Sequence, residues 1–199
     1  MSVFIQADFL KEAKQFFEEL PHIATRAAVL AVNDVASEGG LRLLKKDIEL
    51  QVNFPSGYLN QQNRLGVSRK ATESSLSAVI TARDRATSLA RFAKGQTPAG
   101  TRGKGVRVEV KRGNAKVLKK AFLLNLKNGN LGLAVRLKPG ESLRNKNAGS
   151  PVKLGKNTYL LYAPSVDQVF RSVAEGNSEK IGQMLSNQFL RQFTRLTRG

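Results

Sequence analysis

The excess positive charge of this chain is concentrated in its middle, and that concentration limits how the middle can fold. Between Gln61 and Tyr159 stand 22 lysines and arginines against four acids, Glu73, Asp84, Glu109 and Glu141, a net of +18. The first 60 residues carry six bases and eight acids, and Leu160 to Gly199 carries five bases and three acids. Like charges oppose compaction, so a stretch of this kind serves a polyanionic counterpart. Nucleic acid comes first, an acidic protein surface second and a membrane surface third.

Within the cationic stretch the pattern is that of strands with one apolar face. Val106, Val108 and Val110 alternate with Arg107, Glu109 and Lys111 from Gly105 to Lys111, so one face can be buried while the other stays charged. AFLLNLKNGNLGLAVRLKP predicts a hairpin turning at Asn128-Gly129-Asn130. LGVSRKA, SLSAVITAR and NTYLLYAP are shorter strand-like runs, and PSGYLNQQNRL reads as a short helix opened by Pro55-Ser56.

The ends are helical. Phe9, Ala13, Phe16, Phe17 and Leu20 recur at three- and four-residue spacing, predicting a helix over Ala7 to Leu20. Pro21 suits the first turn of a second helix that runs to Gln51 and is broken or bent near Gly39-Gly40. Ser165 caps a helix reaching Ala174, with Asp167 in its first turn. A last helix follows Gly176-Asn177-Ser178, with Ile181, Leu185, Phe189, Phe193 and Leu196 as its apolar stripe. The order predicts an α+β fold, a mainly antiparallel sheet from the central region packed by N-terminal and C-terminal helices.

At 199 residues with 41% hydrophobic content, a single domain over 1–199 is expected, able to bury roughly 70% of its unfolded surface. Its parts are a helical 1–53, a basic β-rich 54–162 and a helical 163–199. Loops at 94–104 and 139–151, rich in Gly, Pro, Asn and Ser, are expected to be flexible. No apolar run approaches the roughly 18 residues that span a bilayer, and MSVFIQADFLKEAKQ lacks the basic leader and apolar block of a signal peptide.

The residues give no enzyme signature. Without cysteine there is no thiol nucleophile and no zinc finger, and His22 alone completes neither a triad nor a metal site. Glu18-Glu19 and Asp47/Glu49 read as solvated helix faces. GQTPAGTRGKG has the two glycines of a phosphate-binding loop at Gly95 and Gly100, but Thr101-Arg102 stand where Lys and Ser/Thr are needed. No cofactor and no metal are expected. A nuclease needs a carboxylate cluster that four dispersed acids do not supply.

What remains is the basic cluster, Arg91, Lys94, Arg102, Lys104, Arg107, Lys111, Arg112, Lys116, Lys119 and Lys120, all within 30 positions. Glu109 is the sole acid among them. Aromatic residues are sparse there (Phe92, with Phe122 just beyond), so contact with a phosphate backbone or an acidic protein surface fits better than base stacking.

RAAVLAVNDVA in the second helix, ARFAKGQ, the downstream GVRVEVKRGNAKVLKKAFLLNLKNGN and Arg136 together resemble the minor tail protein Z family of tailed phages and prophages. These are also described as tail-completion or neck proteins. The likeness spans Ala24 to Lys138; the acidic first helix, the longer loop after Pro139 and the less basic C-terminus depart from it. The resemblance implies a non-enzymatic virion protein at the head–tail junction, near the DNA path, assembled in the host cytoplasm. Implied partners are the tail terminator, the tail tube, connector or portal-side proteins and the phage DNA backbone, met by a homo-oligomeric ring or collar. The alternative is a stand-alone basic nucleic-acid-binding protein, against which stands the lack of a helix-turn-helix, RNA-recognition or KH signature.

Overall fold

A computed structural model describes residues 2–5, 21–94, 105–141, 143 and 151–198 of the chain. The helix expected over Ala7 to Leu20 and most of the two glycine-rich loops lie outside these residues. The fold is α+β, and every strand pairing among the described residues is antiparallel. The chain divides into two compact units.

The first unit takes residues 1–48, 59–83 and 170–199. Strand β1 (Ser2–Ile5), β2 (Leu65–Arg69) and β3 (Ala78–Ala82) form a sheet in the order β1-β3-β2. Helix α1 (Pro21–Asp34) is joined through a π-helical turn, Val35–Gly39, to α2 (Gly40–Gln51). The bend expected at the glycine pair is therefore a π turn ending on it. Gly40 closes that turn by donating its N–H to the carbonyl of Val35.

Helix α1 packs on the last helix, α4 (Ser178–Arg198). Ala24, Ala27, Ala28 and Ala31 fall at i, i+3, i+4 and i+7 and are all buried, so the contact face is made of small side chains. From α4, Ile181, Leu185 and Phe189 are buried, while Phe193 is half-buried and stacks on Phe189 with ring centroids 5.8 Å apart. Two adjacent polar residues at the end of α1 fix its neighbours. Asn33 exchanges two hydrogen bonds with the Ala71 backbone, at 3.0 and 2.8 Å. Asp34 accepts from Gln188 and Gln192 of α4 at 2.7 and 2.6 Å.

The second unit holds residues 49–58 and 84–169. Its larger sheet contains β7 (Ala121–Asn125), β8 (Leu131–Arg136), β9 (Val152–Gly155) and β10 (Thr158–Leu160) in the order β7-β8-β10-β9. The β7–β8 hairpin turns at Asn128-Gly129-Asn130, with Gly129 at φ 76 where a side chain would be strained. NTYLLYAP forms two short strands rather than one, β10 and β11 (Tyr162–Ala163). The second leaves the sheet to pair with β4 (Thr87–Ser88). PSGYLNQQNRL is not an α-helix. It makes turns and a 3-10 segment, Gln61–Asn63, in which Gln62 and Asn63 have φ of 52 and 50, a left-handed conformation that stops helix propagation.

Helix α3 (Val166–Gly176) starts in the second unit behind a reciprocal cap. The N–H of Gln168 donates to Ser165 Oγ at 3.1 Å, and the N–H of Ser165 donates to Gln168 Oε1 at 3.0 Å. Among the described residues no helix is long and apolar enough to cross a membrane.

Candidate functional site

Eight of the ten predicted basic contacts fall on one hairpin of the second unit and its flanks. Arg102 and Lys104 lie outside the described residues. The hairpin consists of β5 (Val106–Lys111) and β6 (Asn114–Leu118), turning at Gly113 with φ 75. On β5, Val106 and Val108 are 1% and 5% exposed, whereas Arg107 and Lys111 point to solvent, as the alternation predicts. Register pairs Val106 with Leu118, Arg107 with Val117 and Val108 with Lys116, then shifts through a bulge before Lys111 meets Asn114.

The two edges of this hairpin differ. Along the outer side of β5, the N–H of Asn53 donates to Val110 at 2.7 Å and the N–H of Lys94 donates to Arg107 at 2.8 Å. Asn53 Nδ2 adds a bond to the Glu109 carbonyl at 3.3 Å. The outer side of β6 has no strand beside it among the described residues.

Three of the basic residues are held by the protein itself. Lys94 forms a salt bridge with Glu109 at 3.5 Å, and Lys120 one with Glu141 at 2.6 Å. Arg91, on the 3-10 turn Leu89–Phe92, lies over the Tyr58 ring with its guanidinium carbon 5.3 Å from the centroid. Tyr58 in turn stacks on Phe54, which leans on Phe92. Glu109 also accepts from the N–H of Gly113 at 2.7 Å, and this bond, with Lys94 beside it, holds its carboxyl below the ordinary glutamate range. Glu141 is lowered likewise, by Lys120 first and by the N–H of Lys138 second.

Five basic residues are left: Arg107, Lys111, Arg112, Lys116 and Lys119. Each is exposed, and none forms a salt bridge among the described residues. The two acids nearest in sequence are engaged by Lys94 and Lys120, and Arg107 feels Glu109 only at longer range, so the hairpin presents an excess of positive charge along a short strand pair. A sequence count cannot separate these five from Lys94 and Lys120, because the neutralising partners lie 15 and 21 residues away.

Beside β6 opens a cleft of about 700 Å3 that no local pattern announces. Its apolar lining comes from β5, β6, β8 and the β10–β11 segment, including Val108, Val110, Leu118, Val135 and Leu161. Lys111, Lys116, Lys119 and Lys120 also line it, and no acid does among the described residues. Among the described residues no group of His, Cys, Asp and Glu could hold a metal ion. His22 is an exposed residue of the first turn of α1.

No protein-family model, curated protein or solved structure matches this chain.

Proposed function

We propose that this chain is a structural protein of a tailed-phage virion, a tail-completion or neck adaptor at the head–tail junction. In this reading the β5–β6 hairpin meets an anionic counterpart, an acidic surface of a tail or connector subunit or the DNA backbone passing nearby. The observation that carries it is the set of five exposed, un-bridged cations on one hairpin, joined to the sequence resemblance over Ala24 to Lys138. Such a cluster favours assembly onto a polyanion, since binding releases counterions and removes self-repulsion. Several copies in a ring or collar would multiply the field. No residue acts as catalyst in this role; the chain works by shape and charge.

Charge reversal of Lys104, Arg107 and Lys111 together tests the assignment. The expected result is a folded protein that no longer supports infectious particles. Wild-type infectivity from that variant rejects the patch, and electron microscopy that finds the chain away from the junction rejects the station. A stand-alone nucleic-acid binder would instead bind free duplex with affinity falling by about 0.9 log units per phosphate contacted for each log unit of salt.

A further inference from the structure

We propose that the open edge of β6 and the cleft beside it receive an extended segment of a partner protein, apolar at its centre and acidic at both ends. The proposal takes the occupant to be a protein because it rests on the adaptor reading above; the chemistry of the occupant comes from the hairpin.

On an exposed strand edge the N–H and C=O groups of alternate residues point outward, and an added strand pairs with them in register. Here β5 is flanked on its far side by Asn53 and Lys94, so within this hairpin the edge without a paired strand among the described residues is that of β6. Val117 in β6 is 56% exposed, a large apolar side chain open to solvent beside the cleft. The adjoining cleft is floored by valine and leucine, which suits apolar side chains projecting from an added strand.

Charge selects the ends. Lys111 stands at the turn end of the hairpin, opposite Asn114, and Lys119 directly follows the last residue of β6. Lysine on an edge strand ordinarily guards against unwanted pairing. With Lys116 in mid-strand, these lysines line an apolar cleft that among the described residues has no acid, so they repel basic strands and favour acidic ones. Positive edge, apolar floor and free ladder positions together describe one occupant.

The test uses the full chain and a fluorescein-labelled heptapeptide, Glu-Glu-Val-Leu-Val-Glu-Glu, followed by fluorescence anisotropy. Saturable binding is expected, weakened at least about tenfold by Lys111→Glu combined with Lys119→Glu, both at exposed positions, with circular dichroism showing that the variant is folded. The same peptide N-methylated at alternate amides is expected to lose binding, because it cannot complete a ladder. Absence of binding overturns the proposal. So does equal binding by hepta-glutamate, which means charge alone, or by the N-methylated peptide, which means no strand addition. A short DNA duplex that displaces the peptide at lower concentration returns the lysines to nucleic acid and overturns it as well. Peptide binding that survives while the chain is absent from particles removes the adaptor reading and leaves this site standing.

Discussion

Gly40 donates its amide N–H to the carbonyl of Val35, and a Cβ added at position 40 would stand 2.8 Å from that same oxygen. The contact explains why a glycine sits where the second helical segment begins. The π turn brings residue 40 against residue 35 so tightly here that an added Cβ would force the backbone to shift. Gly40→Ala is therefore expected to lower stability by about 1–3 kcal/mol, although alanine is the better helix former. Gly182→Ala in α4 is the control. Nothing lies within 4 Å of its Cβ position, so a gain of about 0.5–1 kcal/mol is expected. Thermal unfolding that moves both variants in the same direction would contradict this account.

Asp34 joins α1 to α4 by accepting from two glutamine amides, Gln188 and Gln192. Replacing it with alanine leaves both part-buried donors without their acceptor, at a cost of about 1–3 kcal/mol. Urea denaturation of Asp34→Ala checks the value. A variant as stable as wild type would mean the glutamines re-pair without loss.

The carboxyl of Glu109 is expected to titrate below the ordinary glutamate value, because Gly113 and Lys94 both favour its charged form. Its folded value lies below its unfolded one. The stability it contributes is thus present at neutral pH and is lost as pH falls through the folded value. An NMR titration of the side-chain carboxyl carbon reads this directly. In Lys94→Met, which removes the neighbouring cation and leaves the Gly113 turn intact, the midpoint should rise part of the way toward the ordinary value; an unchanged midpoint would remove Lys94 as a cause.

Arg91 and Lys119, placed together by composition, should separate by measurement. The guanidinium of Arg91 over Tyr58 contributes about 0.5–1 kcal/mol, so Arg91→Ala should destabilise the fold by that amount. Lys119 is exposed, forms no salt bridge among the described residues, and its alanine variant should change stability by less than about 0.5 kcal/mol. Equal losses in calorimetry would show that Arg91 is held no more firmly than a surface lysine.

Much of the local structure is written in local sequence. The valine alternation gives β5, Asn128-Gly129-Asn130 gives the β7–β8 turn, Ser165 begins a helix, and the glycine pair marks the interruption after α1. Each follows from rotation per residue or from one residue's φ preference, which need no distant partner. NAKVL carries no such signal. It becomes β6 because Val106, Arg107 and Val108 offer it a ladder across the Gly113 turn. Ser2–Ile5 becomes a strand through pairing with Ala78–Thr81, a partner more than 70 residues away.

The candidate site divides along the same line. Its net charge, its sign and its position in the chain belong to the sequence, since ionisation at neutral pH is a property of residue type. Which cations are tied to Glu109, Glu141 or Tyr58, which form no salt bridge among the described residues, and that an apolar cleft opens beside β6 were decided by folding. Those properties depend on distances of a few ångströms between residues far apart in the chain, and only the tertiary structure sets them.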